Sequence, residues 1–243
     1  MSLLAPVSRE GGSLVQRAMD AVTGHIRAEN LRVGDTLPGE AHFAAALGVS
    51  RAVMREAFGA LAALRLIDVG NGRKARVCAM DGAVMAASLF HGVSTAQITV
   101  PEIWDVRRTI ELRTAELAAL ARTSAQAHRL LELAQAMASD GDDFEAVTRH
   151  DIAFHETIAA ASHNLLFVQI VASFAPLMQV AVPAAWRTRV AATQRELMIA
   201  RHRAIATAIG DRDPAAAVAA MSSHFDTAIG DLLKSGEKPD ELR

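Results

Sequence analysis

Asp151 and His155 stand four residues apart, and His202 and His224 follow later in the chain. On a helix, the i, i+4 spacing puts a carboxylate and an imidazole on one face. His202 and His224 are equally far from Asp213. If two antiparallel helices turn there, both rings lie at one depth, about 16 Å from the turn at about 1.5 Å per residue. One carboxylate and three imidazoles suit a divalent transition metal, Zn2+ first, with Ni2+ or Mn2+ as other candidates. An open coordination position on such an ion could activate water, which would make the chain a metal-dependent hydrolase with His150 and His163 as candidate bases. With nine histidines in the chain, the same spacing also arises by chance. The four residues can then be ordinary core positions of a helical interaction module.

A second constellation lies near the N-terminus. Leu37-Pro38-Gly39-Glu40 precedes a short apolar-patterned run to Gly48, followed by Val49-Ser50-Arg51 and then Arg55-Glu56. A short helix, a Gly turn and a helix opened by Ser read as a helix-turn-helix. Arg51 and Arg55 share one side of the start of that second helix, ahead of its apolar stripe Met54, Ala57, Phe58, Leu61. Guanidinium groups placed there can bond guanine in a major groove, and the free N–H groups near Ser50 and Arg51 can meet a phosphate. Solvated arginines paired with Glu40 or Glu56 are the plainer alternative.

Elements that must position these groups follow from the pattern. Ser13 and Gln16 match a capping box ahead of a helical face formed by Val15, Ala18, Met19, Val22 and Ile26. After the third helix the pattern turns strand-like at 66–69. Gly70-Asn71-Gly72 is a turn, and 74–77 returns as the paired strand. Gly72, Arg73 and Lys74 then form the tip of a basic wing, with Arg76 behind it, able to reach phosphates or a minor groove. Beyond Met80 the periods are helical, over 82–91, 100–122, 124–138, 143–162, 164–182, 190–209 and 214–233. Pro183 is expected to break a helix, and Asp213-Pro214 to start one. The predicted fold is mainly α: a winged helix-turn-helix of three helices and a two-stranded wing, followed by an all-α antiparallel bundle.

The expected organisation is a flexible tail over 1–12, a DNA-binding domain over 13–78 and a linker helix over 79–92. An effector- and metal-binding helical domain over 93–235 and a tail over 236–243 complete it. Residues 1–78 hold ten Lys and Arg against seven acids, a net +3, while the remainder holds fifteen against twenty, a net −5. A basic module on an acidic body is compatible with DNA binding at one end. The single Cys78 excludes an intrachain disulfide and suits a reducing cytoplasm. Residues 162–186 carry no Asp, Glu, Lys or Arg and are long enough to span a membrane. Pro176, Pro183 and the amphipathic flanks argue for a buried bundle helix and no membrane.

The stretch 14–77, with its Leu37-Pro-Gly-Glu40 and Leu47-Gly-Val-Ser-Arg51…Arg55-Glu56, resembles the GntR family of bacterial winged-helix regulators. Two departures stand out. Ala41 occupies a position where the family commonly has Arg, and Arg65 one where it usually has Gly before the wing. Residues 100–230 resemble the FCD ligand-sensing domain of the FadR subfamily. The marks are Asp105-Val-Arg-Arg108…Glu111, Asp151-x3-His155, Ser162-His-Asn164, His202-Arg203-x-Ile205 and His224. The resemblance implies a metal on Asp151, His155, His202 and His224, and a small carboxylate effector completing its coordination. Arg107 would suit that carboxylate, or could instead pair with Glu111 or Glu116. Trp186 and Asn164 are candidate pocket walls, Asn164 equally a helix cap. A cytoplasmic homodimeric repressor on pseudo-palindromic operator DNA, with no catalytic residues, is the function implied.

Overall fold

The computed structural model describes residues 13–70, 72–141, 143–188 and 192–234. The expected tails at 1–12 and 236–243, and Asn71 of the wing turn, lie outside them. The chain divides into two compact units, Met1–Asp81 and Gly82–Arg243.

The first unit holds α1 (Leu14–Ala28), α2 (Glu40–Leu47), α3 (Arg51–Ala63), β1 (Ile67–Gly70) and β2 (Arg73–Val77). Its core is Ala18, Val22, Leu37, Phe43, Met54, Phe58, Leu61 and Ile67. The stripe read from the sequence of α3 is therefore the face it buries. Ser13 accepts from the Gln16 N–H at 3.2 Å, but Gln16 turns its amide to Asp20 at 2.9 Å, so the capping box is only half closed. Gly48 ends α2 in the left-handed region at φ 66°, which glycine enters without a Cβ clash. Ser50 caps α3, accepting from Val53 N–H at 3.3 Å.

The wing has more than its two strands. β1 and β2 are antiparallel, with Ile67 opposite Val77 and a register irregularity between Asp68 and Gly70. The loop before α2 adds itself to β2: Leu37 N–H donates to the Ala75 carbonyl at 2.8 Å and Val77 N–H to the Asp35 carbonyl at 3.0 Å. That pairing places Leu37, 1% exposed, in the core. Arg65 sits at φ 56°, a region that costs an L-residue roughly 1–2 kcal/mol.

The second unit is all helical among the described residues: α4 (Ala83–Ser94), α5 (Val100–Ala121), α6 (Ser124–Ser139), α7 (Phe144–Ala161), α8 (Leu165–Ser173), α9 (Ala175–Thr188), α10 (Ala192–Gly210) and α11 (Pro214–Lys234). Thr99 and Thr123 close full capping boxes with Glu102 and Gln126. Asn164 is a helix cap, accepting from Leu166 N–H at 3.0 Å. Asp213 caps α11 through Ala216 N–H at 2.9 Å, with Pro214 at its first position. α5 packs on α7, α10 and α11, and α10 on α6 and α11.

The expected single helix over 164–182 is two helices, bent by 47° at Phe174. Pro176 falls in the first turn of α9, where its missing N–H has no partner to lose. Pro183, expected as a break, lies inside α9. It removes one internal bond, yet buried Met178, Ala181 and Trp186 hold the helix on either side of it. No single helix among the described residues is long and apolar enough to cross a membrane, and only the bent α8–α9 pair reaches that length and composition.

Candidate metal centre and nucleic-acid interface

α7 carries Asp151 and His155, α10 carries His202 and α11 carries His224. All four are buried. One ring nitrogen from each histidine lies within 4.8 Å of the others. Asp151 Oδ1 is 3.1 Å from His202 Nε2 and 4.0 Å from His155 Nε2. Two donors held by one ion at about 2.0–2.2 Å stand roughly 3 Å apart, so the Asp151–His202 separation is that of neighbours in a coordination shell.

The rings are oriented from behind. His155 Nδ1 meets the Glu111 carboxylate. His202 Nδ1 donates to the Met198 carbonyl, one turn back, at 3.0 Å. Such bonds fix the tautomer and turn the other nitrogen's lone pair outward. His155 Nε2, thus freed, is buried and has no hydrogen-bond partner. An orphaned lone pair inside a ring of three imidazoles is costly unless something accepts it.

The electrostatics favour an ionised Asp151 and a neutral His224. Burial would raise the Asp151 carboxyl, but its close contact with His202 and the positive charge that the three imidazoles take on when protonated hold it well below the usual carboxylate range. Burial, then His202 and His155, push the His224 imidazole well down, so it is neutral at neutral pH. Burial would raise the Glu111 carboxyl most, but Arg107 and then His155 together hold it below its ordinary value.

Arg107 is 3% exposed. Its Nε donates to Glu111 Oε1 at 2.6 Å, and a second nitrogen meets Met178 Sδ. The guanidinium lies 5.1 Å from the Trp104 ring centroid and 5.5 Å from that of Phe225. The alternative raised for Arg107, a buried pair with Glu111, is thus present, while Arg113 takes Glu116 at 2.6 Å. Arg107 still acts on the centre, since its charge helps depress His224. Glu111 is the residue that sequence reasoning did not place at the site. It stands among the marks of the FCD resemblance and four residues from Arg107, but neither signal points across to α7. Trp186 is fully buried and donates to the Gly141 carbonyl at 3.0 Å.

In the first unit, Arg51 and Arg55 project from the exposed start of α3. Arg55 is 3.9 Å from Glu40 with a side chain 75% exposed. A pair that open is worth about 0–1 kcal/mol and is readily exchanged for another anion. On the wing, Gly72 turns the chain at φ 71°. Arg73 folds back over Gly70 onto Asp68 at 2.6 Å. Arg76 donates to the Gly34 carbonyl at 2.8 Å. Lys74 is exposed, with no ion pair among the described residues.

A winged helix with exposed arginines at the start of its third helix, followed in the chain by a helical bundle, has the architecture of a DNA-binding regulator. Comparison with known proteins makes this specific. Residues 14–77 match the model of bacterial regulatory proteins of the gntR family, and residues 102–227 match the FCD domain. The chain is 32% identical over 208 residues to the Glc operon transcriptional activator of Escherichia coli K12, covering 83% of this chain and 82% of that protein. It is 27% identical over 210 residues to the HTH-type transcriptional regulator LutR of Bacillus subtilis, covering 86% and 95%. It is 26% identical over 222 residues to the transcriptional repressor NanR of Salmonella schwarzengrund, covering 90% and 84%. In fold it resembles a GntR protein of Streptococcus agalactiae, with a TM-score of 0.62 at 22% identity over 88% of this chain and 98% of that one. The chain belongs to the GntR family of transcriptional regulators and carries an FCD domain.

These are regulators, not enzymes. The hydrolase reading has no support among these relatives. His150 is 2.9 Å from Asp140, and His163 is 3.1 Å from the Ala121 carbonyl.

Proposed function

We propose that this regulator binds pseudo-palindromic operator DNA as a cytoplasmic homodimer, and that a small carboxylate metabolite at a metal site in the bundle controls its affinity. Asp151, His155, His202 and His224 would hold a divalent transition metal, with Zn2+ favoured by three nitrogens and one carboxylate. The observation that carries this reading is the buried, unpartnered Nε2 of His155 amid the other ligand atoms. When bound, the ion supplies a Lewis-acidic positive charge with coordination positions open to oxygen donors.

The protein's own residues do the rest. Glu111 and the Met198 carbonyl orient two of the imidazoles. Arg107 adds a second positive charge beside His224 and suits a carboxylate arriving there. In the first unit, Arg51 and Arg55 would read base edges from the major groove, with Ser50 at the helix start. Gly72, Arg73 and Lys74 would place the wing on phosphates. Residues 79–92, which join the winged helix to the ligand-binding bundle, would carry the coupling. The relatives include an activator and a repressor. We favour repression, in which effector binding releases the operator.

The test is calorimetric titration of the metal-loaded chain with sugar acids, hydroxy acids and dicarboxylates, followed by a DNA-release assay. Arg107→Ala should weaken binding of the active carboxylate by roughly 1.5–3 kcal/mol, the scale of a hydrogen bond to a charged group. A neutral effector, or one bound equally well by Arg107→Ala, contradicts the proposal.

A further inference from the structure

A pocket opens between α4, α5 and α9, and no metal ligand lines it. Its walls include Phe90, Val93, Ile103, Trp104, Leu177 and Met178. None of the lining side chains carries a charge. The one lining hydroxyl, on Ser94, already donates to the Phe90 carbonyl at 2.8 Å. Such walls favour apolar surface and penalise an ion, which would lose its water without a partner.

One polar group breaks the pattern. Trp104 is 6% exposed, and its indole N–H is buried with no hydrogen-bond partner. Buried indole N–H groups usually find an acceptor, and an unmet donor here makes a ligand acceptor favourable. We propose that this pocket is a second ligand site, separate from the metal centre, for a small neutral molecule that is mostly apolar and carries one hydrogen-bond acceptor. The chemistry is opposite to that of the metal centre, which invites anions. The pocket's far wall touches Arg107, which stacks on Trp104 and meets Met178. A ligand would therefore press on the residue that pairs with Glu111 behind His155. Its near wall is α4, the helix that follows the winged helix in the chain.

The test uses cyclohexanone as acceptor probe and methylenecyclohexane as its acceptor-free counterpart. Each is titrated into the full chain and followed on the indole 1H–15N resonances. The chain has two tryptophans, and Trp104→Phe identifies the signal of Trp104. Cyclohexanone should move that signal downfield and saturably, while the Trp186 signal, already bonded to Gly141, stays. Methylenecyclohexane should give no downfield shift. Ala181→Leu, which fills the pocket, should weaken cyclohexanone binding at least tenfold. The shift should persist after chelator treatment, so failure of the metal-centre reading leaves it intact. A wild-type Trp104 signal that does not move, or one that moves equally in Ala181→Leu, overturns the proposal. With circular dichroism showing the chelated chain still folded, loss of the shift on chelation would place the ligand at the metal instead and equally overturn the proposal.

Discussion

Arg51 and Arg55 on α3, and Arg107 on α5, are the same side chain in opposite settings. The first two stand in water, where Arg55 makes one loose pair with Glu40 at 3.9 Å. Arg107 is enclosed, bonded to Glu111 at 2.6 Å and stacked on two aromatic rings. The two regions keep their free energy in different places. An exposed arginine contributes little to folding and retains its charge for a partner. A buried one is committed, because removing either member of its pair leaves an unpaired charge out of water. The winged-helix face should therefore lose binding without losing stability, and the metal centre should lose both together.

The largest effect is expected at Glu111. Glu111→Ala strips Arg107 and His155 of their shared carboxylate and should cost about 3–5 kcal/mol of stability. Metal affinity should fall by roughly 10–100-fold, the usual effect of losing a group that orients a ligating histidine. Denaturant melts and metal titration read the two effects. A stability change under about 1 kcal/mol would break the contrast between the regions.

Next are Arg51→Ala and Arg55→Ala. Each should weaken specific operator binding by about 1–3 kcal/mol and change folding stability by less than about 0.5 kcal/mol. Mobility shift and thermal melts of the same samples decide this. Wild-type affinity in both variants would remove α3 as the reading element.

The smallest effect sharpens the comparison within the winged helix itself. Arg65 holds a left-handed conformation at φ 56° and an exposed pair with Asp81 at 3.6 Å. Arg65→Gly should raise the melting temperature, by up to about 1 kcal/mol of stability, since glycine relieves the Cβ clash. A lower melting temperature would mean that the Asp81 pair outweighs the backbone strain.

The parts of this molecule that a side-chain period encodes were legible in its sequence. The stripe of α3, the Asp213-Pro214 start of α11 and the shared face of Asp151 and His155 are of that kind. Equal distance from a turn was enough to bring His202 to His224. What escaped depends on backbone or on cross-helix facing. The pairing of 35–37 with β2 is made by main-chain groups and leaves no pattern in residue type. The bend at Phe174 lies in an uncharged stretch where the helical pattern runs on across it, and Pro176 alone, in the first turn of α9, marks the new start. Glu111 reaches His155 across 44 positions, and only the docking of α5 on α7 reveals it. The strain at Arg65 is invisible to composition, and only the resemblance, with its usual glycine there, marked the position.

The proposed metal centre of one buried Asp and three buried His would be coupled to folding. The most direct test is mass-spectrometric metal analysis, with thermal melts, of untagged wild-type protein and the His202→Ala/His224→Ala double variant. The wild type should carry a single divalent transition ion per chain. The variant should lose it and melt at a lower temperature, because binding energy is linked to folding. Full occupancy in the double variant, or a wild type that binds no ion at saturating zinc, would contradict the account.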